Sequence, residues 1–521
     1  MCRRLHAHAG PWDMIVVGGG ATGVGVAIDG ASRGYDVLLL EQNDFGKGTS
    51  SRSTKLVHGG VRYLEQGNVS LVMEALRERA LLLRNAPHLV HNLGFVVPNY
   101  DWWETPFYGI GLKLYNLLAG KHGFGASRIL SGEETLERLP NLNTEGLRGG
   151  VMYFDGQFDD SRLLINLVAT ACEQGAVLLN YAQVTGVGKD ADGFVNGVTF
   201  RDMESGEEFA AAAKVVINAT GPFTDDLRRK ADPSVEPMIA PSQGIHLVLD
   251  GGFLAGDSAI MVPHTSDGRV LFAIPWHGHT LIGTTDTPVP EPMLEPIAQE
   301  QEIDFVLGTA SLYLAKKPAR EDVTSVFAGI RPLVRAGDSS GSTASLSRSH
   351  TIRIENSGMV TICGGKWTTY RNMAEDCVNH AATLGQLADR ACVTDHLNIH
   401  GFHPGADRFG RLAIYGSDAP AVQQLMDTDP SLSEPLHSAL PYVAAEVIWA
   451  VREEMARTVE DLLARRTRAL FLNARAAVAM APRVAALMAR ELGRDDGWET
   501  AQVQAFHQTA RGFLIGELTV P

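Results

Sequence analysis

The first sixty residues of the chain alternate between two hydrophobic periodicities. Residues 14–17 form an apolar run of strand length, and residues 21–33 are mostly small or apolar with the spacing of a helix. A second apolar run over 35–40 ends at Glu41, and a glycine-rich turn separates the first strand from the helix. This order predicts a β-α-β unit of a parallel sheet.

The remainder of the chain is mixed in character. The pattern predicts helices over 68–83 and 160–174, strands over 176–189, 193–202 and 214–218, and several short strands within 244–285. Short alternating runs of the last kind are typical of an antiparallel sheet. We therefore expect a second, antiparallel sheet beside the parallel one.

The composition changes near residue 397. Segments 443–466 and 470–492 are rich in Ala, Leu, Arg and Glu, and Pro482 is expected to interrupt the second of them. We therefore predict a helical C-terminal domain over 397–521. Residues 1–12 contain two arginines but no apolar signal-peptide core, so we expect them to be a disordered extension or a misassigned start, and not a signal peptide.

Whole-chain properties restrict the function. A length of 521 residues favours two or three domains, and a net charge of −15 argues against a nucleic-acid partner, whose phosphates would be repelled. The five cysteines include no Cys-x-x-Cys pair and no metal-binding spacing, which is typical of reduced thiols in a cytoplasmic protein. No apolar stretch reaches the roughly 18 residues of a membrane-spanning helix.

The glycine turn has the spacing of a dinucleotide-binding fingerprint. Gly18 permits the tight turn, Gly20 lets a pyrophosphate approach the backbone, and Gly23 lets the helix pack closely on the strand. The phosphates would face the helix N-terminus, where free amides favour negative charge. Glu41 is placed to accept the ribose hydroxyls, and its charge would repel the 2′-phosphate of NADP.

A polar loop and two later turns extend this predicted site. We expect hydroxyls and a cation of the loop to line the pyrophosphate and the ring, and the strand ending at Asn218 to supply a second backbone contact. The fingerprint does not separate NAD from FAD. A second strand and turn over 215–221 and a third, glycine-rich turn over 363–371 favour the longer FAD, which several distant segments can bind together. The predicted cofactor-binding residues are Gly18, Gly20, Thr22, Gly23, Glu41, Thr49, Ser50, Ser51, Ser53, Lys55, Gly59, Thr220, Gly221, Lys366 and Thr368.

These segments carry a family resemblance that extends from about residue 13 to the C-terminus. The chain resembles the FAD-dependent, respiratory glycerol-3-phosphate dehydrogenases most specifically in His-Gly-Gly-Val-Arg-Tyr-Leu (58–64) and Gly-Gly-Lys-Trp-Thr-Thr-Tyr-Arg (364–371). The other matching segments are 13–41, 218–222, 274–276, 283–286, 329–333 and 453–466. The glycine fingerprint alone is shared by many flavoproteins.

The resemblance implies a fold and a reaction. It implies an α/β glutathione-reductase-like FAD domain, interleaved over 13–396 with an antiparallel substrate domain of the D-amino-acid-oxidase type, followed by the helical domain. The reaction would be oxidation of glycerol 3-phosphate to dihydroxyacetone phosphate, with hydride transfer from C2 to flavin N5. FAD is expected to be bound without a covalent link, although His58 lies in a loop from which related flavoproteins sometimes attach it.

The expected substrate contacts are cations and hydroxyls near glycines. Arg62, Tyr63, Arg331 and Lys366 are donors suited to a phosphomonoester dianion. His246 is the expected catalytic base, because histidine accepts a proton near neutral pH, and Arg331 would stabilise the developing oxyanion. His58 is the alternative base.

The electron acceptor is left open by these residues. The family's dehydrogenases pass electrons to a membrane quinone, whereas related glycerophosphate oxidases use oxygen. Segment 101–121 combines tryptophans, leucines and lysines, as an element in peripheral contact with the inner face of the cytoplasmic membrane would, but a core helix fits it as well. An amino- or hydroxy-acid oxidase or an inactive binding module would also fit the sequence, and a homodimer is compatible with it.

Overall fold

The computed structural model describes residues 4–5, 8–60, 68–101, 104–120, 123–263, 265, 269–335 and 350–516. Its strands are β1 (Trp12–Val17), β2 (Val37–Leu40), β3 (Leu56–Val57), β4 (Val90–Asn99), β5 (Arg128–Ser131), β6 (Gly149–Phe158), β7 (Val177–Leu179), β8 (Ala182–Lys189), β9 (Val195–Asp202), β10 (Glu208–Asn218), β11 (Ile239–Asp250), β12 (Ser258–Val262), β13 (Leu271–Trp276), β14 (His279–Gly283), β15 (Thr287–Pro288), β16 (Val323–Val334), β17 (His350–Ile354), β18 (Val360–Gly364), β19 (Pro435–His437) and β20 (Leu440–Val443).

The α-helices of the described residues pack on these strands or form the C-terminal domain. They are α1 (Ala21–Ser32), α2 (Val69–Asn85), α3 (Glu104–Ala119), α4 (Gly132–Arg138), α5 (Asp160–Glu173), α6 (Thr224–Ala231), α7 (Glu300–Tyr313), α8 (Tyr370–Leu384), α9 (Ala419–Thr428), α10 (Ala444–Glu453), α11 (Ala469–Leu472), α12 (Ala474–Leu492) and α13 (Asp496–Ala510). None of the helices in the described part of the chain is long and apolar enough to cross a membrane.

The first sheet is built around β1. Its strands follow the order β17-β18-β10-β1-β2-β7, and β1, β2, β7, β10 and β18 run parallel. Trp12 is the first residue of β1 and is buried, with its ring stacked on His8. The expected disordered extension therefore does not reach Trp12. The strands of a parallel sheet are covered on both faces, and this is why the residues of these strands are mostly apolar.

The predicted strand over 176–189 is two strands. β7 pairs with β2 in parallel, whereas β8 turns away and pairs with β9 in the antiparallel direction. Between them, Tyr181 has a φ of 57° and donates a hydrogen bond to Asp461 at 2.7 Å. The left-handed conformation at Tyr181 breaks the strand, and a hydrophobic pattern does not reveal it.

The second sheet is mostly antiparallel and supplies the predicted substrate side. Its strands follow the order β15-β11-β14-β13-β12-β4-β6-β3, with β16 paired to β11 and β5 paired to β6. In this register Ser242 opposes Arg331, and His246 opposes Phe327 on one side and Gly283 on the other. The two predicted catalytic residues thus lie on neighbouring strands.

The C-terminal region is helical, with two differences from the prediction. The helix predicted over 443–466 ends at Glu453, and Asp461–Arg466 forms a separate wide helical turn. Pro482 does not interrupt α12, which continues from Ala474 to Leu492. Ala481 and Val484, before and after the proline, are fully buried, and this packing keeps the helix continuous despite the missing amide donor.

Candidate active site

A cavity of about 710 Å³ opens at the carboxyl ends of the parallel strands. The turns that follow β1, β10 and β18 all reach it, which is the usual ligand position in an open parallel sheet. Of the predicted cofactor residues, the cavity is lined by Gly18, Gly20, Thr22, Glu41, Thr49, Ser50, Thr220, Gly221 and Lys366. Its volume is that of a pocket for a large organic ligand.

The phosphate turn has the predicted close packing. A Cβ on Gly23 would lie 1.9 Å from the carbonyl oxygen of Gly18, so only glycine fits there. The helix α1 begins at Ala21, whose amide donates to Ser50 Oγ at 3.0 Å. Gly23 itself does not line the cavity, because its role is to let the helix approach the strand.

Glu41 binds the backbone of the phosphate turn. Its carboxylate accepts hydrogen bonds from the amides of Gly19 at 2.6 Å and Asn43 at 2.9 Å. Burial raises the pKa of Glu41 above its ordinary value, although both amides act in the opposite direction. Because Glu41 lines the cavity, its oxygens are placed to accept hydroxyls of a bound ribose.

Ser53 and Lys55, which are predicted to contact the cofactor, are not among the residues that line the cavity. The ammonium of Lys55 and the hydroxyl of Ser53 each lie 2.7 Å from the same oxygen of Asp160. Lys55 is fully buried, and burial lowers its pKa to about 7 although Asp160 opposes the shift. Asp160, at the start of α5, therefore fixes this half of the loop.

Gly59, Thr368 and Ser51 also lie outside the cavity lining. The amide of Gly59 donates to Asp155 at 3.3 Å, and the hydroxyl of Thr368 accepts from the amide of His58 at 3.2 Å. Ser51 is buried, and its carbonyl accepts from Lys55 at 2.9 Å. These hydrogen bonds fix the polar loop to Asp155 and Thr368.

His246 is buried against an aromatic ring. Its Nε2 lies 2.9 Å from Thr54 Oγ1, and its ring stacks on Phe327 with 5.0 Å between centroids. Burial lowers the pKa of His246 well below its ordinary value, and the charges of Lys55 and Arg331 add to this effect. The imidazole is therefore neutral at neutral pH.

Arg331 lies on the neighbouring strand with its guanidinium fixed. It donates to Thr284 Oγ1 at 3.1 Å and to the carbonyl of Thr285 at 2.8 Å. It also forms an ion pair with Asp286 at 3.3 Å. A Cβ on Gly244 would lie 2.3 Å from this guanidinium, so the absence of a side chain there makes room for it.

The remaining substrate residues divide into two groups. Lys366 lines the cavity, beside Trp367, whose indole donates to the carbonyl of Ser50 at 2.8 Å. Arg62 and Tyr63 lie outside the described residues. The structure thus places Lys366 at the cofactor cavity and His246 and Arg331 on the adjoining sheet.

Some residues of the site were not predicted from the sequence. Lys47 lines the cavity and forms an ion pair with Glu460 at 2.8 Å. It stands between Gly46 and Gly48, and a cation next to glycine is the feature that singled out Lys366, so Lys47 could have been found in this way. Asp160 and Thr54 carry no such signal, because their importance depends on which distant side chains they meet.

Comparisons with known proteins agree on one family. The model of the FAD dependent oxidoreductase family matches residues 13–371, and the model of the C-terminal domain of alpha-glycerophosphate oxidase matches residues 359–499. The mitochondrial glycerol-3-phosphate dehydrogenase of Rattus norvegicus is 40% identical over 97% of this chain and 74% of its own length. That of Arabidopsis thaliana is 41% identical over 97% and 86%.

Solved structures give the same result. A glycerol-3-phosphate dehydrogenase from Bacillus halodurans, complexed with FAD, superimposes with a TM-score of 0.80 at 30% identity and covers 98% of this chain and 97% of its own. An L-alpha-glycerophosphate oxidase from Mycoplasma pneumoniae shares the fold, with a TM-score of 0.57 at 17% identity over 74% of this chain and 97% of its own.

Proposed function

Because this chain belongs to the FAD-dependent glycerol-3-phosphate dehydrogenase family, we propose that it oxidises sn-glycerol 3-phosphate at C2 to dihydroxyacetone phosphate and passes the electrons to a membrane quinone. The observation that carries this proposal is a cavity that fits FAD and whose lining includes Pro332, the neighbour of Arg331 on β16. Arg331 and His246 lie on the adjacent strands β16 and β11. A base, an oxyanion donor and a cofactor space are the parts that this oxidation needs.

The cavity residues fit FAD in chemistry as well as in volume. The turn from Gly18 to Gly23 and the hydroxyl of Ser50 would hold the pyrophosphate, and Glu41 would hold the ribose. When bound, FAD supplies the hydride acceptor, flavin N5. We propose that the cofactor is held without a covalent bond, as the family resemblance implies.

The substrate phosphate requires positive donors. We infer that Lys366 and Arg331 provide them, together with Arg62 and Tyr63, which the resemblance adds. The hydrogen bonds to Thr284 and Thr285 fix the guanidinium of Arg331, so it would bind an anion without a large loss of side-chain entropy. Arg331 would also stabilise the oxygen that becomes the ketone.

His246 would accept the proton of the C2 hydroxyl. Its lowered pKa keeps the ring neutral, which is the form that acts as a base. The contact with Thr54 holds one ring nitrogen, and the stack on Phe327 fixes the plane of the ring. Replacement of His246 with Ala should reduce turnover by about 100-fold or more and leave the flavin absorption spectrum unchanged.

An anaerobic titration tests the reaction. The purified holoenzyme is expected to be yellow and to bleach with glycerol 3-phosphate, but not with glycerol or D-amino acids. Bleaching by an amino acid would instead indicate the related oxidases, and a colourless or unresponsive protein would indicate an inactive binding module. Reoxidation of the bleached enzyme by a soluble quinone, but only slowly by oxygen, would separate a dehydrogenase from a glycerophosphate oxidase.

An apolar face on α3 favours the quinone as acceptor. Phe107, Ile110, Leu114 and Leu117 are between 45% and 75% exposed and recur at helical spacing. On the opposite face, Leu112 and Tyr115 are buried. We propose that the exposed face contacts the lipid surface on the cytoplasmic side of the membrane, where a quinone is accessible.

A further inference from the structure

A column of aromatic rings joins the C-terminal domain to His246. The imidazole stacks on Phe327 at an interplanar angle of 17°, and Phe327 contacts Phe471 with 4.8 Å between ring centroids. Phe471 in turn packs edge-on against Phe513 at 5.1 Å. His246, Phe327 and Phe471 are each no more than 2% exposed, so water does not separate them.

Hydrogen bonds fix the backbone on both sides of Phe471. The hydroxyl of Ser325 donates to the carbonyl of Leu470 at 2.9 Å, and that of Thr324 donates to the carbonyl of Leu472 at 2.7 Å. Both hydroxyls belong to β16, the strand that carries Phe327. The position of the Phe471 ring relative to Phe327 is therefore set by direct bonds between the two elements.

Buried cations surround the same rings. The ammonium of Lys55 lies 5.1 Å from the centroid of Phe327 and 5.5 Å from that of Phe471, and the guanidinium of Arg468 lies 4.1 Å from Phe471. Asp160 forms ion pairs with both cations, at 2.7 and 3.2 Å. The rings fill the space around these charges and exclude water from it.

The charges that act on His246 come from two sides. Lys55 lies on the side of the aromatic column, with Asp160 and Arg468 behind it, and Arg331 lies on β16 beyond Phe327. Thr54 supplies the polar contact to the ring. Removal of one ring from the column would leave a cavity that polar side chains border, and such a cavity can admit water.

We propose that Phe471 is a positioning residue for His246, acting through the ring of Phe327. It holds Phe327 flat against the imidazole and keeps the surroundings of the imidazole dry. This role rests on the proposed function, in which His246 is the base. It also means that the C-terminal domain contributes to catalysis through Phe471.

The test compares two truncations in the same apolar core. Phe471→Leu removes the ring next to Phe327, whereas Phe506→Leu removes a ring on α13 that is equally buried. In the holoenzyme we expect Phe471→Leu to slow flavin reduction by about tenfold, with KM and FAD content within twofold of the wild type. Phe506→Leu should lower the melting temperature and leave the reduction rate unchanged.

A second measurement reports on His246 directly. In ¹⁵N-histidine NMR spectra, with the signal assigned by His246→Gln, the wild-type ring should stay neutral through pH 6. Water entry in Phe471→Leu should raise the midpoint of its titration toward the ordinary value of about 6.5. If Phe471→Leu does not fold, Phe471→Met gives the same comparison, because it keeps most of the volume without the ring.

Failure of the positioning role and failure of the proposed function give different results. Equal effects of the Phe471 and Phe506 variants on the His246 titration would overturn the positioning role, whatever the activity. A wild-type enzyme that glycerol 3-phosphate does not reduce would overturn the proposed function, while the NMR comparison would still decide the role of Phe471.

Discussion

The guanidinium of Arg466 donates two hydrogen bonds to the carboxylate of Asp44, at 2.7 and 3.0 Å. Asp44 follows β2 in the cofactor region, and Arg466 ends the wide helical turn of the C-terminal domain. Arg465 donates to the same carboxylate. Burial opposes the charge on Asp44, but the two arginines outweigh it and lower the pKa of Asp44 below its ordinary value.

Loss of the Asp44 carboxylate should destabilise the contact between the cofactor region and the C-terminal domain. Asp44→Ala leaves two buried guanidinium groups without their shared partner, so the free energy of unfolding should decrease by about 3–5 kcal/mol. Asp257→Ala is the control, since its ion pair with Arg138 is exposed and should change stability by less than about 0.5 kcal/mol. Urea denaturation measures both, and similar values for the two variants would contradict the prediction.

The phosphate turn should not tolerate a methyl group at Gly23. Gly23→Ala would place Cβ 1.9 Å from a backbone oxygen, so we expect the free energy of unfolding to decrease by about 1–3 kcal/mol. We also expect the variant to bind FAD more weakly. Gly308→Ala, inside α7 with nothing within 4 Å of the added Cβ, should instead stabilise the protein by up to about 1 kcal/mol. FAD content after gel filtration and the melting temperature check both results. Retention of FAD by Gly23→Ala would show that the turn can relax.

His400 should make stability depend on pH above neutrality. Its ring nitrogens lie 2.7 Å from Asp418 and 2.6 Å from Glu173, and the hydrogen bond to Asp418 is the main reason that the pKa of His400 is raised to about 9. A raised pKa means that the charged ring stabilises the fold fully below about pH 6.5, and that this contribution is lost as the pH rises through 9.

We therefore expect the difference in unfolding free energy between wild type and His400→Gln to be about 2 kcal/mol at pH 6 and to approach zero by pH 10. Denaturant titrations over this range measure the difference. His396→Gln is the matched control, because His396 is exposed beside Asp395 and its replacement should change the free energy of unfolding by less than about 0.5 kcal/mol. A constant difference across the range would exclude the ion pairs of His400 as its source.

The apolar face of α3 should be required for membrane binding. Ile110→Glu combined with Leu117→Glu places two carboxylates on the proposed lipid contact, so binding to vesicles of mixed neutral and anionic lipids should fall by at least tenfold. Leu312→Glu is the control, since Leu312 is equally exposed on α7. Co-sedimentation measures binding, and glycerol 3-phosphate-dependent flavin bleaching should be unchanged in both proteins. Vesicle binding that persists in the double variant would place the contact elsewhere.

The cofactor site could be predicted from the sequence because its requirements are local. Gly18, Gly23 and Glu41 lie within one β-α-β unit, and each is needed for a backbone approach or a charge that short-range spacing defines. The structure places Gly18 and Glu41 in the cavity lining and Gly23 directly behind it. The two-sheet fold followed from strand periodicity in the same way.

Only the tertiary structure decided the partners of buried polar groups. The sequence pattern places Lys55 at the cofactor, yet Asp160, far from it in sequence, holds its ammonium within the interior. The contact between Phe471 and Phe327 and the pairing of Arg466 with Asp44 also join distant segments. A buried charge or ring must be satisfied by whatever the fold brings within a few ångströms, and residue type and spacing do not encode that neighbour.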